Sequence, residues 1–161
     1  MRSKKVALYG LLTALAMILS YVETLVPLSV AVPGIKIGLA NIAVVFALYR
    51  LGWKDAAAVS AVRVLLVSLT FGNAFSMIYS LAGAALSLAA MTAAKACGRF
   101  GSVGVSVLGG VLHNVGQILV AVFVLETARL AYYLPFLCVS GVVAGVFVGV
   151  AAGLLVKRVK I

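Results

Sequence analysis

Six apolar segments, at residues 6–22, 36–51, 55–72, 76–97, 104–125 and 134–156, occupy most of this chain. A helix of about 20 residues crosses the hydrocarbon core of a bilayer. Six such spans take about 120 of the 161 residues, which leaves about 41 for loops and tails. No room remains beside them for a soluble catalytic domain. Hydrophobic residues make up 65% of the chain and charged residues 10%, against about 45–50% and about 25% in soluble domains. A disordered chain, which needs low hydrophobicity, is excluded as well. The expected fold class is all-α, with one polytopic membrane domain over residues 1–161.

Thirteen Lys and Arg against three acids give a formal charge of +10. In a soluble protein that excess would suggest nucleic acid. In a membrane chain it encodes orientation, because basic residues concentrate in cytoplasmic loops. With the N-terminus inside, Arg2, Lys4, Lys5, Arg50, Lys54, Lys95, Arg99, Lys157, Arg158 and Lys160 lie on the cytoplasmic side. Lys36 and Arg129 lie outside, and Arg63 falls within a span. Ten against two predicts six transmembrane helices with both termini in the cytoplasm, and no nucleic-acid partner. Tyr9, Tyr21, Tyr49, Trp53, Tyr132 and Tyr133 fall near span ends, as an aromatic belt does.

Met1-Arg2-Ser3-Lys4-Lys5 before an apolar run mimics a signal peptide. The run continues past the small-residue triplet Ala14-Leu15-Ala16, so an uncleaved first helix is expected. Cys97 and Cys138 fall in different spans near opposite membrane faces. No disulfide is expected between them, and both read as small buried apolar residues. His113 is the only histidine, and no Cys/His cluster has metal-ligand spacing. Neither a metal nor a cofactor is expected.

The first loop, residues 23–35, is apolar yet holds Pro27, Pro33 and Gly34. It is too broken for a helix and too apolar for a solvated loop. It lies in the headgroup zone or folds back as a cap over an outward-facing cavity. The second segment is short and follows Pro33-Gly34, so a half-length or irregular span is expected there. Non-helical backbone at that depth is tolerated only against protein or a cavity. Small residues mark close helix contacts. Gly141, Gly145, Gly149 and Gly153 recur every four positions. On the first helix Ala7, Gly10 and Ala14 form one small face, and Thr13, Ala16 and Ser20 form another. Each stripe serves packing inside the chain or docking of a partner subunit.

An ionisable residue at a helix centre costs at least about 2.5–3.5 kcal/mol on insertion scales. Arg63, midway along the third span, carries that cost. Glu23 or Glu126 at outer span ends, backbone carbonyls, or an anionic ligand would offset it. In the fifth span Ser106, Gly110, His113 and Gln117 share one face by the spacing i, i+4, i+7, i+11, with Asn114 beside them. Lipid would leave these groups unpaired. They serve interhelical hydrogen bonds or a binding site. Lys36 and Asn41 join them from the start of the second segment, although Lys36 also reads as a snorkelling side chain. Asn73 and Tyr79 flank the turn between the third and fourth spans. Lys36, Arg63 and His113 against few acids suit an anionic or strongly polar small molecule, or an oxygen-rich lipid head group.

Catalytic inventory is missing. Glu23, Asp55 and Glu126 are the only acids and form no paired-carboxylate motif. There is no G-x-x-x-x-G-K-[ST] loop and no nucleophile elbow. The chain is expected not to be an enzyme, and any uphill transport would draw its energy from a partner.

Pro33-Gly34-Ile35-Lys36-Ile37-Gly38-Leu39-Ala40-Asn41 and His113-Asn114-Val115-Gly116-Gln117 look like family signatures. So do Arg63-Val64-Leu65-Leu66, Phe71-Gly72, Tyr79-Ser80-Leu81-Ala82-Gly83 and Leu134-Pro135. Together they resemble, over nearly the whole chain, the bacterial membrane family labelled "Gx transporter" or "heptaprenyl diphosphate synthase component I". The first label implies kinship with substrate-binding (S) subunits of energy-coupling-factor transporters. Those are six-helix bundles with both termini in the cytoplasm. Their first loop covers an outward pocket, and small residues on helix one dock a transmembrane coupling subunit driven by two ATPases. By that resemblance Ala7, Gly10 and Ala14 would be the docking face. The second label implies prenyl-quinone biosynthesis, whose synthases hold Mg²⁺–diphosphate through aspartate-rich motifs. With Asp55 as its one aspartate, this chain cannot be that catalytic subunit.

The leading expectation is a substrate-binding subunit in the bacterial cytoplasmic membrane. Its pocket would be lined by Lys36, Asn41, Arg63, His113, Asn114 and Gln117. The alternatives are a non-catalytic membrane subunit binding an isoprenoid or quinone in prenyl-quinone metabolism or membrane electron transfer, and a small membrane scaffold.

Overall fold

The computed structural model describes residues 2–25 and 38–159. Among these are six α-helices: α1 (Arg2–Leu25), α2 (Asn41–Arg50), α3 (Trp53–Phe71), α4 (Ala74–Ala96), α5 (Ser102–Val124) and α6 (Leu134–Arg158). A 3-10 segment, Ala128–Tyr133, joins α5 to α6. Lys36 and all but the first three residues of the first loop lie outside the described residues.

α1, α4, α5 and α6 are long and apolar enough to cross a bilayer. α3 has 19 residues but carries Lys54, Asp55 and Arg63. α2 has 10 residues, about 15 Å at about 1.5 Å per residue, half of a hydrocarbon core of about 30 Å. The described residues form helices and turns without a strand, and the chain is a multi-pass membrane protein. Large apolar side chains such as Leu69, Phe123, Val143 and Phe147 point outward, where lipid replaces water as solvent.

Within the second segment the α-helix begins at Asn41. Gly38 sets that start. Its φ of +74° suits glycine, and its carbonyl accepts the Asn41 amide at 2.8 Å. From there Ile42 to Leu48 are all buried. A helix apolar on every side belongs in the middle of a bundle. Val44, Val45 and Leu48 meet Leu12 and Ala16 of α1, Val59 of α3, Met91 of α4, Val105 of α5 and Val148 of α6 in one core.

Glycine sets the tightest contacts. A Cβ at Gly145 would lie 2.5 Å from Cα of Val107, and one at Gly149 would lie 2.6 Å from Cα of Val103. One at Gly141 would lie 3.0 Å from the Gly110 backbone. The four-residue stripe on α6 therefore faces α5 of the same chain. Gly83 of α4 meets α5 on its other side, where a Cβ would lie 2.7 Å from the His113 carbonyl oxygen. On α1 the two small faces separate. Thr13, Ala16 and Ser20 are buried, whereas Ala7, Gly10 and Ala14 are exposed.

Polar contacts tie one end of the bundle. Tyr9 donates to Asp55 Oδ1 at 2.6 Å. Lys95 donates to the Leu48 carbonyl at 2.7 Å and stands 5.0 Å over the Tyr49 ring. Arg50 donates to the carbonyls of Val156 and Val159. The start of α1, the α2–α3 turn and the C-terminal ends of α4 and α6 thus meet. At the opposite end the Tyr21 and Phe71 rings pack 5.5 Å apart.

Gly145→Ala is expected to destabilise the bundle by about 1–3 kcal/mol, the usual cost of overpacking. Gly10→Ala, with nothing within 4 Å of the new methyl, should be neutral or stabilising by up to about 1 kcal/mol. Thermal unfolding of both variants in one detergent checks the contrast. Equal melting temperatures would mean that the α5–α6 contact is not close-packed.

Candidate functional site

A cavity of about 280 Å³ opens among the helices, away from the end tied by Tyr9–Asp55 and Arg50. Each wall has a local origin. α1 contributes Ser20, Glu23 and Thr24 from its last turns. Gly38 and Asn41 stand where α2 begins, so the cavity starts where the short helix does. α3 brings Arg63 and Ser68, and α4 brings Ser80. Ser106, Gly110, His113, Asn114 and Gln117 form the α5 wall, and Gly141 and Gly145 open the α6 wall.

Arg63 is the most constrained of these side chains. It is 9% exposed, and its Nε has no hydrogen-bond partner. Glu23 is the acid that acts on it electrostatically. That carboxylate is itself positioned, since Oε1 accepts the Gly38 amide at 2.6 Å. Glu126, the other carboxylate considered for Arg63, is exposed at the end of α5 and has φ +50°. It does not line the cavity.

The α5 face holds its spacing. His113 and Gln117 are pressed against α4, where a Cβ at Gly83 would meet His113 Cε1 at 3.1 Å and Gln117 Cγ at 2.9 Å. Asn114 donates to the Leu137 carbonyl of α6 at 2.6 Å. It therefore contributes an interhelical hydrogen bond as well as a wall of the cavity. The glycines at 83, 110 and 141 bring backbone and polar side chains together where larger residues would fill the space.

Asn41, Arg63, His113, Asn114 and Gln117, picked from sequence pattern, therefore converge on one cavity. Lys36 lies outside the described residues. Ser20, Thr24, Ser68 and Ser80 also line the space and were not picked. Ser20 carried a signal, as the last member of the small polar face with Thr13 and Ala16. The others had none, because a lone hydroxyl in an apolar helix is ordinary. Asn73 caps α4 instead, accepting the Ser76 amide at 2.8 Å. Cys97 and Cys138 are both free thiols. Among the described residues no group of three His, Cys, Asp or Glu side chains could hold a metal.

The sequence was compared with known proteins. No curated protein and no solved structure matches it. The model of one family, described as heptaprenyl diphosphate synthase component I, matches residues 12–155. That span takes in α2 to α5 whole, α1 from Leu12 onward and α6 up to Leu155. It contains every described residue of the cavity wall, and on this match the chain belongs to the heptaprenyl diphosphate synthase component I family.

Proposed function

We propose that the chain is the substrate-binding membrane subunit of an energy-coupling-factor-like transporter, and that its cargo is a small polar or anionic molecule. The observation that carries this reading is Arg63. A guanidinium nine-tenths buried in a membrane bundle, with Nε unpaired, lines an open cavity. Charged groups buried in membrane bundles mark substrate and ion paths, and the guanidinium fork fits a planar oxyanion. Asn41, His113, Asn114 and Gln117 supply donors and acceptors around it, and Lys36 is assigned to the same site. The volume of about 280 Å³ lies just below the range of ligand pockets, about 300–1,000 Å³, and suits a compact cargo.

In this reading the chain is not catalytic. ATPases supply the energy through a transmembrane coupling subunit, which approaches along Ala7, Gly10 and Ala14. The exposure of that face supports the assignment. α2 and α3 complete six spans in a bacterial cytoplasmic membrane. Both termini, and the end bearing Arg50, Lys95 and Lys157, then lie inside. The cavity faces out.

The family's description favours a second reading. The chain would then be a non-catalytic membrane partner of a prenyl synthase component. The same cavity would hold the head group of an isoprenoid or quinone.

The tagged chain, isolated from its native host in mild detergent, is expected to carry a small molecule together with ATPase subunits. Mass spectrometry of proteins and released ligands reads both. A prenyl lipid with a synthase subunit and no ATPase would favour the second reading. Arg63→Gln should weaken retention of the bound molecule about 10- to 100-fold, since a hydrogen bond to a charged group is worth about 1.5–3 kcal/mol. Retention unchanged by that substitution would remove Arg63 from the site. Orientation has its own reporter in Cys97, which is free and exposed. A membrane-impermeant maleimide should label it in inside-out vesicles and not in intact spheroplasts. The reverse pattern would invert the topology.

A further inference from the structure

Arg63 is not the only charge on the cavity wall. Glu23 lines the same space, and among the described residues these two are its only Asp, Glu, Lys or Arg side chains. Among the described residues the wall thus pairs one cation with one anion, and hydroxyl and amide groups supply most of the remaining polarity. The two charges differ in depth. Arg63 is buried and Glu23 is half-buried, held by the Gly38 amide at the junction of α1 and α2. Only Oε1 is taken by that amide.

A plain anion entering this cavity would be drawn to Arg63 and repelled by Glu23. Inside a low-dielectric bundle both effects are strong. A plain cation meets the opposite pair. If the two side chains neutralise each other, neither kind of ion finds a net field. A ligand bearing both charges engages each side chain favourably and leaves no buried charge unpaired.

We propose that the cavity takes a small amphoteric molecule, its oxyanion against the Arg63 guanidinium and its protonated amine against the Glu23 carboxylate. This rests on the reading of the cavity as a binding site and narrows the class of its cargo. Asn41, Ser68, His113 and Gln117 serve the polar groups between the two ends.

The test uses the full chain in detergent and a panel of amino acids at neutral pH. Each is matched with the carboxylic acid that lacks its amine and the amine that lacks its carboxylate. Binding is read as a rise in melting temperature and, for probes that raise it, as Kd by calorimetry. At least one amino acid should bind at least about tenfold more tightly than either matched analogue. Glu23→Gln keeps a carbonyl for the Gly38 amide and removes the charge. It should weaken that probe about tenfold or more. Acids that bind as well as the matched amino acids, or bind more tightly in Glu23→Gln, would overturn the amphoteric assignment and leave the binding role of the cavity intact. Wild-type chain that binds no member of the panel would overturn the assignment outright. The bound-molecule experiment above would then judge the binding role separately.

Discussion

The contact of α5 with α6 and α4, backbone against backbone, governs the rest of the molecule. In lipid, helices gain little from hiding apolar surface, since the surrounding tails are as apolar as leucine. Association rests on close packing and on interhelical hydrogen bonds. Gly141, Gly145 and Gly149 let α6 approach α5 until a methyl would no longer fit, and Gly83 does the same from α4. α5 is therefore fixed on both sides, with Met91 of α4 filling the space at Gly109. His113, Asn114 and Gln117 inherit that fixation: the His113 carbonyl and the Gln117 side chain lie against Gly83, and Asn114 donates to the Leu137 carbonyl. A polar face on a loosely held helix could rotate toward another partner. Here the rotation is closed off by packing.

The short helix α2 has the complementary role. It fills the centre of the bundle with Val44, Val45 and Leu48 over about half the membrane thickness, and the cavity begins at its first residues. Division of the bundle into a dry half and a polar half follows. The dry half is tied by Tyr9–Asp55, by Lys95 on the Leu48 carbonyl and by Arg50 on the end of α6. Three of the chain's few charged groups are thus used as staples where water is near, and Arg63 is left as the charged group deep in the other half.

Much of this was legible in the sequence, for identifiable reasons. Apolar runs of span length gave α1, α4, α5 and α6, because hydropathy reads directly on the membrane as solvent. The α5 polar cluster was legible because helical spacing is rigid over three turns. The residue at which the helix of the second segment starts was not legible, because Gly38's left-handed turn has no periodicity to announce it. The two small faces of α1 could not be told apart from sequence. Both satisfy the same spacing, and only the position of α2 and α3 decides that Thr13, Ala16 and Ser20 turn inward. Glu23 was legible as a possible neutraliser of Arg63 but not as a wall. That role depends on the Gly38 amide, a contact made across the first loop.

Arg63 sets a thermodynamic condition on the whole bundle. A guanidinium with an unpaired Nε is an expensive group to bury, and removing water from two opposite charges is repaid only when their hydrogen bonds are met. Glu23 offsets part of that cost through its field, yet its own carboxylate is shared with the Gly38 amide. The folded bundle thus retains unmet polar capacity on the side that opens to the cavity. Any ligand that meets it binds the folded state alone and stabilises it by mass action, by about 2.7 kcal/mol at a hundredfold excess over Kd. Glu23 lines the cavity and accepts the Gly38 amide, so a ligand that engages its carboxylate also bears on the contact between the end of α1 and the approach to α2.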